Sequence, residues 1–354
     1  MEEHLPSSSK TIDPALKLSN ITPCVIGLCR DLIHDWSKLN DNLFNVETVS
    51  GGITNLLLKV TARQSDGEEV AVTVRLFGPN TDYVIDRNRE LQATKHLSAA
   101  GFGPKLLGVF GNGMVQSFIN ARTLKPEDMR TPKIAAEIAE QLRKFHQVDI
   151  PGPKEPQLWH DTFKFYEQAS KLKFEDLEKQ KKYETISFSE VLKEVNETKD
   201  LTSLLNAPIV FSHNDLLSGN IMLDDVEEKL YFIDFEYGSY SYRGFDIGNH
   251  FNEYAGFDCD FTLYPNKDEQ FHFLRHYLDA KQPFQVGDKE LEALFVEANT
   301  YMLASHLFWA LWALIQAKTS PIEFDYLDYF FLRYNEYKKQ KDKCFSTART
   351  FLSL

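Results

Sequence analysis

The chain has 354 residues, which at about 150 residues per domain suggests roughly two domains. It is 43% hydrophobic and 26% charged, with 27 Phe and 15 Tyr, so it carries enough apolar mass for a large packed core and is not mainly disordered or fibrous. Lys plus Arg number 39 against 52 Asp plus Glu, and a net charge of −13 argues against nucleic acid or an anionic membrane as the main partner. The same balance suits a cationic substrate, and equally a solvated acidic surface.

The cysteines, Cys24, Cys29, Cys259 and Cys344, follow no metal or redox spacing and fit a reducing compartment. The opening MEEHLPSSSKTIDP lacks the basic start and apolar run of a signal peptide. The most apolar stretch, LFWALWALI at 307–315, is far short of the roughly 20 residues of a membrane span. The expectation is a cytoplasmic protein without stable membrane insertion.

Residues 1–20 are polar and read as a flexible tail. Residues 24–39 have apolar positions at helical spacing. Short β-like runs at 44–49, 55–61 and 69–77 are separated by turn signals at Ser50-Gly51-Gly52 and Ser65-Asp66-Gly67. A helix is expected over 81–100, stopping at Gly101, then strands at 105–110 and 113–119. Residues 21–119 thus form a small β-rich lobe, and 120–354 a larger, mainly helical one. In the latter, helices are expected at 132–147, one or two within 159–206, and at 270–278, 289–318 and 324–341. A β-rich island lies at 209–235. The fold class is α+β, and the plan suggests a nucleotide held between the lobes.

The strongest chemical signal is FSHNDLLSGNIML at 211–223, with His213, Asp215 and Asn220 in the spacing H-x-D-x4-N; Asp234 follows in YFIDFEY. Phosphoryl transfer needs phosphates neutralised and an acceptor oxygen aligned, tasks suited to an Asp near the acceptor with an Asn and a second Asp on Mg²⁺. Any one of these residues serves more often as a turn cap or core group, but all four at these spacings favour the functional reading. SGGITN at 50–55 (Ser50, Gly51, Gly52, Thr54 and Asn55) stands where a phosphate loop belongs, though two glycines in a hairpin are ordinary. Arg75 inside an apolar strand and Glu90 in the next helix match the cation–glutamate pair that orients nucleotide phosphates. Arg243 and Asp246 are expected to hold the catalytic loop, since charges among aromatics must be paired. Glu253 is placed to face a substrate. Trp309 and Trp312, three apart on one helix, read by themselves as core.

HNDLLSGNIML, IDFEYGSYSYRGFDIGNHFNE and SHLFWALWALIQAK with the following EFDYLDY resemble the choline/ethanolamine kinases, from about residue 44 to the end. The resemblance implies a protein-kinase-like two-lobed fold and ATP-dependent, Mg²⁺-requiring phosphorylation of a small amino alcohol. It implies Asp215 as base, Asn220 and Asp234 on Mg²⁺-ATP, Arg75 on the phosphates, and Phe118 and Ile119 at the adenine. It also places Glu253, Trp309, Trp312 and Tyr329 around the amino alcohol, reversing the core reading of the tryptophans. HFNEYAG, the Asp258 that stands where choline kinases carry an aromatic residue, and the run 72–90 resemble the ethanolamine branch, whose product enters phosphatidylethanolamine synthesis. A choline or dual-specificity kinase is the alternative; aminoglycoside phosphotransferases share only the loop motif. A catalytically inactive binding module is the remote reading, because such modules lose a metal ligand or the base. A homodimer is left open, as is a partner for the charged helices of 165–199.

Overall fold

In the computed structural model the described residues are 5–49 and 55–354. The chain divides into two compact units, one of residues up to 82 with 94–121, the other of 83–93 with 122–354.

The first unit is built on a six-stranded sheet. Its strands are β1 (Ser7–Ser8), β2 (Phe44–Thr48), β3 (Asn55–Arg63), β4 (Glu69–Phe77), β5 (Leu106–Phe110) and β6 (Gly113–Ser117), in the order β1-β5-β6-β4-β3-β2. Alternation sets the buried face: Leu58, Val60 and Ala62 of β3 and Val72, Val74 and Leu76 of β4 point inward. Helix α1 (Leu18–Leu32) covers that face with Val25, Leu28, Cys29 and Leu32. Each of these valine and leucine side chains contributes about 1.5–3 kcal/mol on burial. α1 starts ahead of the expected 24–39 span because Ile21 already belongs to the buried stripe, and it ends where Ile33 turns extended. In the β5–β6 hairpin Gly113 is obligatory, since a Cβ there would lie 2.1 Å from the Arg75 carbonyl oxygen.

The expected flexible tail makes specific contacts with the sheet in its described part. Ser7 and Ser8 pair in parallel with Val109 and Phe110, and the Asn112 side chain bonds both the N–H (2.9 Å) and the carbonyl (2.7 Å) of Ile12. The edge of β5 offers open backbone groups, and the polar segment satisfies them.

Helix α2 (Arg87–Ala99) is shorter than 81–100, because Asp86 accepts the N–H groups of Asn88 and Arg89 and so caps it. It ends at Gly101 (φ 85°) with Phe102 N–H bonded to the Leu97 carbonyl.

The second unit contains β7 (Arg122–Thr123), α3 (Pro126–Met129), α4 (Pro132–Phe145), α5 (Leu158–Ala169), α6 (Leu177–Glu184) and α7 (Phe188–Ser203). The β-island comprises β8 (Ile209–Ser212), β9 (Ile221–Asp224), β10 (Lys229–Phe232) and β11 (Ser239–Tyr242). Helices α8 (Arg243–Asn252), α9 (Lys267–Leu278), α10 (Asp288–Thr319) and α11 (Tyr326–Leu352) follow. Three helices, not one or two, occupy 158–203, separated by the caps Asp176 and Ser187. Part of their charge is used internally: Glu194 of α7 takes Lys341 and the Tyr337 hydroxyl of α11.

α10 is apolar on every side over 307–315 and is correspondingly buried. Gly248 lets α8 approach it closely, for a Cβ there would sit 2.4 Å from the Ala298 carbonyl oxygen. That contact sets the position of the α8 C-terminus, where Asn249, Asn252 and Glu253 lie.

Candidate active site

Two ladders deliver the polar loops to one place. β8 pairs antiparallel with β11 and ends at Ser212↔Ser239; β9 pairs with β10 and begins at Ile221↔Phe232. The loop of residues 213–220 and the loop of 233–238 therefore leave the same end of the island, and the Ile233 N–H bonds the Asn220 carbonyl at 3.0 Å.

Asp246 of α8 clamps the first loop. Its Oδ2 accepts the His213 N–H (2.8 Å) and its Oδ1 the Asn214 N–H (2.7 Å), while His146 Nε2 reaches Oδ2 at 2.8 Å. Burial alone pushes this carboxyl up, but the bonds from His146 and the loop outweigh it and hold the acid below its usual range. The clamp supports Asn214 at φ 65°, a left-handed conformation costing about 1–2 kcal/mol for an L-residue. Asn214 Nδ2 adds bonds to the Tyr237 carbonyl (2.8 Å) and Ser239 Oγ (2.9 Å). His213 is fully buried, and burial lowers its pKa, keeping it neutral. Its partners assign the tautomer: Nε2–H donates to the Ile233 carbonyl (2.9 Å) and Nδ1 accepts the Asp215 N–H (3.3 Å). One imidazole thus sets the separation between Asp215 and the strand end bearing Asp234.

Arg243 does not join this clamp as expected. It makes a two-pronged pair with Glu297 of α10 (3.0 and 2.6 Å), because its position at the start of α8 faces α10 rather than the loop.

Asn220 Nδ2 donates to Asp215 at both its carbonyl (2.8 Å) and Oδ2 (3.0 Å), which leaves the Asn220 amide oxygen as an available ligand atom. Asp234, itself at φ 63°, stands with Glu90 of α2 and Glu236 in a cluster of carboxylates lying within 4.8 Å of one another. Arg87 balances part of that charge, at 2.6 Å from Glu90 and 3.5 Å from Glu236. Three hard oxygen donors at this spacing fit a divalent cation such as Mg²⁺. The pKa of Asp215 is raised well above the usual range, first by burial and then by the charges of Glu253, Asp234 and Glu236. The sequence reading missed Glu236; its position two residues after Asp234 was the available signal.

Beyond Asp215 runs a series of rings in edge-to-face contact: Tyr237–Trp309 (5.1 Å between centroids), Trp309–Trp312 (5.3 Å), Trp312–Tyr326 (5.7 Å), and through Phe324 to Tyr329 (5.7 Å). Both indole N–H groups are satisfied internally, Trp309 to Asn249 Oδ1 and Trp312 to the Tyr237 hydroxyl (2.7 Å each). Glu253 is nearly buried and accepts from Arg333 Nη1 at 3.1 Å. Neither Tyr237 nor Arg333 was singled out in the sequence, although a charge inside the aromatic run LDYFFLRYNEY was a visible clue.

The remaining candidates belong to the first unit. Arg75 is buried in β4 opposite Met114; Asn55 opens β3 opposite Phe77. Phe118 carries the Lys59 ammonium 4.5 Å from its ring centre, and Ile119 follows it, half-buried. Ser50, Gly51, Gly52 and Thr54 lie outside the described residues.

The profile described as choline/ethanolamine kinase matches residues 46–338. An Arabidopsis thaliana protein named probable ethanolamine kinase is 66% identical over 351 residues, covering 99% of this chain and 94% of that protein. Probable ethanolamine kinase A of Dictyostelium discoideum is 38% identical, over 90% of this chain and 92% of its own. The solved structure of a Plasmodium vivax ethanolamine kinase superposes with a TM-score of 0.77 at 28% identity, covering 94% of this chain and 98% of that one. The fold is accordingly protein-kinase-like, with a β-sheet N-terminal part and a helical C-terminal part.

Proposed function

The chain belongs to the choline/ethanolamine kinase family, and from that membership we propose that it phosphorylates ethanolamine with ATP, giving phosphoethanolamine and ADP for phospholipid synthesis. The observation that carries the reading is the electrostatic position of Asp215. Asp234 and Glu236 act on it from the acid cluster, and Glu253 acts on it from beside the ring series. The charges of groups fit for a metal-bound phosphate and of a group fit for an ammonium thus both reach a single carboxylate.

Asp215 orients the substrate hydroxyl and takes its proton as that oxygen attacks the γ-phosphorus and the bond to the ADP oxygen breaks. Asn220 holds the Asp215 carboxylate through Oδ2. Asp234, Glu236, Glu90 and the Asn220 oxygen would hold Mg²⁺, which when bound supplies charge neutralisation of the triphosphate. Arg75, with the loop of Ser50 to Asn55, would serve the phosphates, and Phe118 and Ile119 the adenine. Glu253 faces the ammonium, and Trp309, Trp312 and Tyr329 offer ring faces, a cation over which gains about 0.5–2 kcal/mol. The indole N–H groups are already bonded to Asn249 Oδ1 and the Tyr237 hydroxyl, so they are not donors for a ligand.

Choline shares the alcohol and the positive charge but has no N–H to donate, so acceptor oxygens such as Glu253 favour the primary ammonium. An ADP-release assay with ethanolamine, choline and kanamycin tests the proposal. Ethanolamine is expected to give the highest kcat/KM; a higher value for choline would overturn the substrate assignment, and turnover of kanamycin alone would overturn the amino-alcohol substrate class.

A further inference from the structure

The buried groups around Glu253 form one continuous hydrogen-bonded chain, and the proposed mechanism gives no role to Arg333, Ser305, Asn249 and Asn252 within it. Arg333 of α11 is 1% exposed, and its Nη1 donates to Glu253 Oε1 (3.1 Å) and to the Tyr329 hydroxyl (3.2 Å). Nη2 donates to Ser305 Oγ of α10 at 2.9 Å. That hydroxyl is saturated: it also accepts from Asn252 Nδ2 (3.0 Å) and donates to Asn249 Oδ1 (2.8 Å). Asn249 Oδ1 accepts the Trp309 indole N–H as well, and Asn249 Nδ2 donates to the Asn214 carbonyl (3.1 Å), the peptide immediately before Asp215.

We propose that Arg333 is a positioning residue of the amino-alcohol subsite, holding the Glu253 carboxylate and the Tyr329 ring toward the substrate ammonium and joining them through Ser305 and Asn249 to the catalytic loop. The inference rests on the reading that Glu253 faces the ammonium. A fully exposed arginine would add little here, but a buried guanidinium with two acceptors on one side and a serine node on the other fixes geometry as well as charge. Lysine, a point charge on a flexible stem, reproduces the charge and only part of the fork.

The test compares wild type, R333M, R333K, S305A, E253Q and the E253Q/R333M double variant, with ethanolamine binding followed by calorimetry alongside steady-state kinetics. R333M is expected to weaken ethanolamine binding and raise its KM roughly 10- to 100-fold with KM for ATP within about twofold. R333K should recover part of that loss. The double variant should lose less than the product of the two single losses, because part of the guanidinium's effect runs through the carboxylate. S305A keeps the ion pair and removes only the node. It should raise KM for ethanolamine and lower kcat severalfold, and it serves even where R333M does not fold.

Equal rises in both KM values for R333M, additive effects in the double variant, or wild-type kinetics in S305A would overturn the inference. If wild-type protein binds and phosphorylates neither ethanolamine nor choline, the functional reading itself falls, and the inference with it.

Discussion

Replacing Asp246 by asparagine removes the charge that clamps the catalytic loop while nearly preserving volume. Asp246 receives three hydrogen bonds from groups far along the chain, at 2.8, 2.7 and 2.8 Å from His213 N, Asn214 N and His146 Nε2. Asparagine keeps one acceptor oxygen and puts an NH2 where the other was. In either orientation that NH2 faces a loop N–H, so one charge-assisted bond worth about 1.5–3 kcal/mol is lost and a buried donor goes unsatisfied at about 1–3 kcal/mol. The expected loss of stability is about 3–5 kcal/mol, the range for breaking a buried charged pair. Denaturant unfolding measures it, and the ADP-release assay follows the accompanying displacement of Asp215, for which a shift of about 1 Å costs roughly 100-fold in kcat.

The pH dependence supplies a second check. A carboxyl held below its usual 3.8 stabilises the fold above its unfolded pKa, and the contribution disappears as pH falls through the depressed folded value. The stability gap between D246N and wild type should therefore narrow as the medium is acidified below about pH 4. A D246N protein with the wild-type unfolding midpoint and kcat would refute the clamp.

D215N should lower kcat by about 10²–10⁴-fold, the range for a lost general base, with ATP affinity nearly unchanged. In protein without added metal the Asp215 carboxyl should titrate above the ordinary carboxylate range when followed by NMR; titration near pH 4 would contradict this. W309A should raise KM for ethanolamine about 10-fold and leave KM for ATP unchanged, whereas equal rises would return the indole to a packing role. G248A should destabilise by about 1–3 kcal/mol in chemical unfolding even though alanine favours helix by about 1 kcal/mol, because its Cβ meets the α10 backbone.

The sequence by itself determined the parts that depend on near neighbours along the chain. Alternating apolar residues specify β3 and β4. The H-x-D-x4-N spacing sets Asn220 on Asp215, five residues away, where a loop closes on itself. Glu236 escaped notice beside Asp234 because nothing local shows that a helix brings Glu90 to the same point.

Tertiary structure decided which buried charge meets which. Arg243 and Asp246 are three residues apart on α8, yet one pairs with α10 and the other with the loop. Arg333 finds Glu253 across 80 residues, and Asn112 fixes Ile12 across 100. Pattern along one chain records which face of an element is apolar. It does not record which faces meet, and the desolvation cost of a buried ion makes its partner a property of the packed helices rather than of the motif.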